Sequence, residues 1–286
     1  MNKLSVVLAT FNEEGNIKDC LESVKNIADE IVIVDGKSTD KTREIVESFK
    51  AKIIARDNPR IFHVNKQIAL ENASHTWILQ LDADERVSEN LAAEITSVIS
   101  MSDKEIKRYQ DNLREKNLFD RHKKLLEERD GKIGSGGEEY SAFFIPRLNY
   151  FLGKYLRYGG VYPDGVIRLV KKEKARFPAK SVHEQIEIDG RVGWLANPLY
   201  HMADISFKHY LKRNSVYIDH IKEELKDKKL KKNIIHFLEY MIIKPVYWFL
   251  LTQARHKGIL DGWQGIVFSF FSALRFPRAY IRYIWK

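Results

Sequence analysis

The sequence predicts an α/β protein, a sheet that starts parallel and is covered by helices, followed by a helical C-terminal region. Three observations carry this. Two short apolar, β-branched runs, LSVVLA at 4–9 and EIVIVD at 30–35, are each followed by turn residues and then by apolar positions at helical spacing. A further apolar run, WILQLDADERV from Trp77 to Val87, ends abruptly in Asp82, Asp84 and Glu85. From about residue 206 the pattern becomes helical, with Lys and Arg interleaved among Trp and Tyr.

Each element follows in order. The helix after the first strand carries Ile17, Leu21 and Val24, and the one after the second carries Ile45, Val46 and Phe49. A third strand is expected at 52–55, a helix at 62–73 and a fourth strand at 76–82. A β-α-β-α succession implies a parallel sheet, whose ligands gather at the C-terminal strand ends and helix N-termini. Thr10-Phe11-Asn12-Glu13, Asp35 to Asp40 and Asp82-Ala83-Asp84 all fall on that edge. The segment 103–130 is almost solidly charged, with sparse apolar positions such as Ile106, Leu113 and Leu126, and reads as an inserted helix or helical hairpin ended by Gly131 and the loop GSGG. Strand-like segments at 140–146, 166–171 and 184–189 are expected to extend the sheet, and Pro198 to Met202 to close the main domain. The expected division is a domain at 1–204 and an amphipathic helical region at 205–286.

Charge separates the two parts. The net charge is +9, yet residues 205–286 hold 16 Lys+Arg against 6 Asp+Glu, while residues 1–204 hold 32 against 33. The stretches 236–251 and 263–274 are strongly apolar but too short or interrupted for a spanning helix, which needs about 20 apolar residues. Basic and aromatic residues together (Lys244, Trp248, Arg255, Trp263, Arg275, Tyr280) suit helices lying in a membrane interface, where anionic lipid attracts each basic residue by about 1 kcal/mol. A buried helical pair or a homodimer interface is the alternative, and the many large aliphatic residues argue against nucleic acid. The single cysteine, Cys20, excludes an internal disulfide framework and fits a reducing compartment. The opening MNKLSVVLATFN has too short an apolar run for a signal peptide.

Three carboxylates at converging strand ends, Asp35, Asp82 and Asp84, repel one another and lose hydration unless something compensates them. A divalent cation would do so. Mg²⁺ or Mn²⁺ is usually held by one or two carboxylates together with substrate phosphates.

LSVVLATFNEEGNIKDCLESV, IVIVDGKSTDKT and ASHTWILQLDADERVS together resemble the family 2 glycosyltransferases, and the first 100 residues match them in motif order and spacing. PRLNYFLGKYLRYGGVYPDGVIRLVKK, SVHEQ and KGILDGWQG are similar to a branch that includes lipopolysaccharide-core β-glucosyltransferases. The resemblance implies the GT-A fold, with a mixed Rossmann-like sheet, a nucleotide-diphosphate sugar donor, and Mn²⁺ or Mg²⁺. It implies that Thr10, Phe11 and Glu13 contact base and ribose, that Asp35 reads the base, that Asp82 lies nearer ribose and metal, and that Asp84 is the direct metal ligand. Asn65 resembles a supporting Asn. Lys37 follows the base-reading carboxylate, where it is solvated or touches phosphate; Ser38 and Thr39 have helix N-capping open to them. Glu85 is expected to orient the loop.

Inverting transfer is a single displacement at the anomeric carbon and needs one general base. Glu184 in Val182-His183-Glu184 is the best match, with Asp164 its rival. His201 or His183 completes the metal shell or is structural; Arg168 and Arg147 neutralise diphosphate or form surface salt bridges. The expectation is a cytoplasmic enzyme, peripheral on the inner membrane, that glycosylates a membrane-anchored glycan. Rival readings are a peptide-modifying transferase, a nucleotidyltransferase, which would show a Gly-rich basic loop where this chain has TFNEEGN, and a non-enzymatic membrane scaffold.

Overall fold

The computed structural model describes residues 2–178 and 185–285, so His183 and Glu184 lie outside the described residues. The chain divides into two compact units, one of residues 1–147 and 163–201, the other of residues 148–162 and 202–286. In chain order the strands are β1 (Leu4–Thr10), β2 (Glu30–Asp35), β3 (Lys52–Ala55), β4 (Trp77–Leu81), β5 (Glu85–Val87), β6 (Tyr140–Ile145), β7 (Arg147–Phe151), β8 (Lys154–Leu156), β9 (Val166–Lys171), β10 (Ala175–Arg176), β11 (Glu187–Ile188), β12 (Arg191–Trp194) and β13 (Leu199–Asp204).

In the first unit a seven-stranded sheet runs β12-β6-β9-β4-β1-β2-β3. β1 lies parallel to β2 and β4, and β2 parallel to β3, whereas β9 is antiparallel to both β4 and β6, which makes the sheet mixed. β1 and β4 are covered on both faces, and this is why their sequences are continuous apolar runs rather than alternations. The helix α1 (Ile17–Val24) buries Ile17, Cys20, Leu21 and Val24, one stripe at helical spacing. Next come α2 (Thr42–Ser48), α3 (His63–Glu71) and α4 (Glu89–Ile99), the last a helix the sequence reading leaves unassigned; the Ser88 hydroxyl caps it by accepting from the Leu91 N–H.

The charged insertion is a helical hairpin, α5 (Asp103–Asp111) and α6 (Lys116–Asp130). Its anchor is aromatic. Phe119 stacks on Trp194 at 4.6 Å between ring centroids, and Trp194 stacks on Phe144 at 4.6 Å. Of the strand expected at 184–189, the described residues, 185–189, do not extend the main sheet. Glu187–Ile188 pairs with Ala175–Arg176 in a separate ribbon, and β12 takes the sheet edge beside β6. The break is at Gly190, whose φ of +130° and approach to Ser141, 2.2 Å from where a Cβ would stand, admit only glycine.

In the second unit β7 and β8 form a hairpin, and α7 (Phe207–Asp227) is followed by a helix at Ile234–Arg255 and two shorter ones at Trp263–Ala273 and Arg275–Ile284. The stretch expected to be interrupted is one continuous 22-residue helix, long and apolar enough by length and composition to cross a membrane. Pro245 is accommodated at the first turn of an α-helical segment, directly after a π-helical turn at Glu239–Ile243. One face of this helix packs within the unit: Tyr240 stacks on Tyr280 at 5.3 Å, and the Trp248 indole donates to Ser272 Oγ at 3.0 Å. Ile235, Leu238, Ile242, Val246 and Leu250 are exposed.

Candidate active site

The first two strand-end turns of the first unit are interlocked. Asn12, with a φ of +55°, donates its N–H to Ser38 Oγ at 2.9 Å and accepts from the Thr39 N–H at 2.8 Å. The Glu13 N–H donates to Thr42 Oγ1, and Glu14 exchanges bonds with Asp40 and the Lys41 N–H. Ser38 and Thr39 therefore brace the turns and do not cap the next helix, which starts at Thr42; Asp40 accepts from the Thr42 N–H instead. Gly36 passes so close to Thr10 and Asn58 that a Cβ would stand 3.0 Å from Asn58 Cβ. Lys37 is solvated and pairs with exposed Asp57 at 2.6 Å.

Beneath the third turn lies a charge network. Asp82 Oδ1 meets Lys66 Nζ at 2.5 Å, and Asp82 Oδ2 meets Arg168 Nη2 at 2.5 Å. Fully buried Glu85 takes Arg168 at 2.8 Å and Arg147 at 3.4 Å, and Arg147 reaches on to Asp164 at 2.9 Å. Three carboxylates thus face three cations, and of the three carboxylates expected to need a divalent ion only Asp82 is compensated in this network by the chain. Burial opposes ionisation of Asp82, yet the cations of Arg168 and Lys66 outweigh it and hold the carboxyl well below the usual carboxylate range. Burial likewise pulls the Lys66 ammonium below its ordinary value, against the pull of Asp82. Glu85 also accepts from the Asp82 N–H at 2.9 Å, the loop-orienting role expected of it.

Above this network opens a cleft of about 310 Å³ lined by Thr10, Phe11, Glu13, Asn58, Phe62, Asn65, Lys66, Asp82, Asp84 and His201. Thr10 Oγ1 is buried there without a hydrogen-bond partner among the described residues. Asp84 is about one-third exposed and lies 3.2 Å from His201 Nε2. Burial works against its charge, but the hydrogen bond and charge of His201 prevail and set its carboxyl below the usual range. Burial raises Glu13, and Asp84 and Asp82 add to the rise against the opposing Asn16 hydrogen bond. A carboxylate oxygen beside an imidazole nitrogen, open to a cleft, suits a divalent cation, so Asp84 and His201 fit the implied metal; Asp82 has both oxygens on cations.

Of the residues singled out by sequence, Thr10, Phe11, Glu13, Asn65, Asp82, Asp84 and His201 line the cleft together. Asp35 does not: its oxygens turn to the Ser38 N–H at 3.0 Å and the Ser38 hydroxyl at 2.6 Å. Asp164 stands outside the cleft lining on Arg147, and Glu184 lies outside the described residues. Arg168 and Arg147 are neither surface pairs nor lining groups; both belong to the network. Sequence reading missed Asn58, Phe62 and Lys66, although Phe62, at the N-cap of α3, and Asn65 and Lys66 within it are spaced i, i+3 and i+4.

Residues 5–145 match the family model described as glycosyl transferase family 2. An uncharacterised glycosyltransferase of Rickettsia typhi is 27% identical over 281 residues, covering 97% of this chain and 86% of that protein. The lipopolysaccharide core biosynthesis glycosyltransferase LpsC of Rhizobium meliloti is 25% identical, covering 95% of this chain and 91% of that one. A solved structure of glucosyl-3-phosphoglycerate synthase from Mycobacterium tuberculosis, in complex with Mn²⁺, uridine diphosphate and glucosyl-3-phosphoglycerate, is 19% identical with a TM-score of 0.30, covering 36% of this chain and 41% of that one. With its motifs, cleft and relatives in accord, residues 5–145 of the chain form a family 2 glycosyltransferase domain.

Proposed function

We propose that the enzyme moves a hexose from a nucleotide-diphosphate sugar, with uridine diphosphate as the first carrier to test, onto a lipid-linked or lipopolysaccharide-core glycan, inverting the anomeric centre. The observation that carries this reading is the Asp84–His201 pair at 3.2 Å in a cleft that also holds an unpartnered Thr10 hydroxyl. Phe11 and Phe62, both more than 40% exposed at the cleft, offer faces for a nucleobase, and Glu13 and Thr10 offer polar atoms for base and ribose. Mn²⁺ or Mg²⁺, held by Asp84, His201 and the diphosphate, would neutralise the charge of the leaving group.

Glu184 is the general base in this reading. Asp164 is the weaker candidate, because the Arg147 guanidinium already occupies a lone pair a base would use. The acceptor class rests on two supports: LpsC matches this chain over nearly its whole length, and the second unit exposes apolar side chains among basic ones. Its helices would lie on the anionic cytoplasmic face of the inner membrane, bringing a water-soluble donor to a lipid-anchored acceptor. A peptide acceptor is the outcome to expect if the protein ignores liposomes.

The test is a thermal-shift and hydrolysis screen of nucleotide sugars with Mn²⁺ or Mg²⁺, since a ligand stabilises the folded state with the logarithm of its saturation. One nucleotide sugar should raise Tm only when the metal is present. No shift with any of them would overturn the proposal.

A further inference from the structure

Resting on the donor and metal just proposed, we infer that Lys66 is a positioning residue that keeps Asp82 off the metal, so that the divalent cation enters only with the nucleoside diphosphate. Lys66 is buried, lines the cleft, and holds Asp82 Oδ1 at 2.5 Å, while Arg168 holds Asp82 Oδ2. The network of Asp82, Glu85 and Asp164 with Lys66, Arg147 and Arg168 is balanced, three charges of each sign. A divalent cation brought to Asp82 would have to displace an ammonium or a guanidinium, because both of its oxygens are already held, and would add two positive charges beside those cations. Asp84 is different. It faces the cleft with only partial burial, beside His201. One carboxylate and one imidazole make a weak site for a hard cation until phosphate oxygens join them. The free enzyme therefore stays metal-poor, and donor and metal bind as one event.

The test titrates Mn²⁺ into the full chain by calorimetry, alone and with whichever nucleoside diphosphate stabilises the protein most. Wild type should bind Mn²⁺ at least about 100-fold more tightly with the diphosphate than without it. Asp82→Asn should weaken that diphosphate-dependent binding by no more than about tenfold, through its lost charge alone, and Asp84→Asn should lose it. Lys66→Met, by removing the cation beside the pair, should raise the affinity for Mn²⁺ alone by about tenfold, and Lys66→Arg should behave as wild type. Mere damage to the fold does not produce a gain of metal affinity. Tight Mn²⁺ binding by wild type without nucleotide, equal losses in Asp82→Asn and Asp84→Asn, or no gain in a folded Lys66→Met would each overturn the inference. Should Lys66→Met not fold, the two Asn variants decide it. Failure of the underlying reading looks different: wild type would bind no Mn²⁺ with any diphosphate, which overturns both.

Discussion

At Asp84 the chemistry depends on what the neighbouring carboxylates already do. Asp82 and Glu85 are engaged by Lys66, Arg168 and Arg147, whereas Asp84 meets the imidazole of His201 at the cleft. Replacing Asp84 with Asn keeps the shape but removes a charge the diphosphate site needs, and transfer should fall by about 100-fold or more in kcat/KM. Arg168→Leu is a different kind of lesion. It leaves Asp82 and Glu85 without their shared partner, and breaking a buried pair costs about 3–5 kcal/mol, readable as a lowered denaturation midpoint. The pH dependence follows from sign. The Asp82 carboxyl ionises well below its unfolded value of about 3.9, so its stabilisation is complete above that pH and is lost as pH falls toward the folded value. The stability difference between wild type and Asp82→Asn should thus stay constant above about pH 5 and shrink below about pH 4, measured by urea unfolding. The sequence showed the carboxylates but not their partners: Lys66, Arg147 and Arg168 come from three separate segments, and only folding joins them.

At the scale of elements, the strands and helices of the first four units of the sheet were legible because their periodicities are clean: Ile17, Leu21 and Val24 on one helix, and the buried runs of β1 and β4. Less was legible where a glycine decided the path. Gly190 turns the chain out of the short ribbon and into β12, and no apolar pattern announces that. The interlocked turns were half visible, since TFNEE and DGKSTDKT are polar turn sequences whose mutual bonds lie 26 or more residues apart. Ser38→Ala removes a hydroxyl that both donates to Asp35 and accepts from the Asn12 N–H. It should cost about 1 kcal/mol of stability and weaken donor binding, seen as a higher KM for the nucleotide sugar at unchanged acceptor KM. In the insertion, Phe119→Ala opens the stack on Trp194 and should cost about 3 kcal/mol.

Across the whole molecule, charge and exposed apolar surface accumulate in the C-terminal part. Residues 205–286 hold 16 Lys+Arg against 6 Asp+Glu, and Leu260, Trp263, Ile266 and Phe270 stand exposed, as do Ile242, Val246 and Leu250. Composition alone revealed this; it did not reveal that Ile234–Arg255 is one unbroken helix, because Pro245 reads as an interruption until the π turn before it is seen. If the surface meets an anionic leaflet, flotation with anionic liposomes should fall steeply as salt rises, at about 1 kcal/mol for each basic residue near the lipid. Leu260→Glu combined with Trp263→Glu should abolish flotation while leaving the thermal shift by nucleotide intact. The enzyme's central property, however, is the cleft, and its most direct test is release of nucleoside diphosphate from a nucleotide sugar by wild type and Asp84→Asn, each with and without a metal chelator. Wild type should release it only while metal is present, and Asp84→Asn should release almost none; equal release by both proteins, unaffected by chelation, would contradict the assignment of this cleft as a metal-assisted glycosyltransferase site.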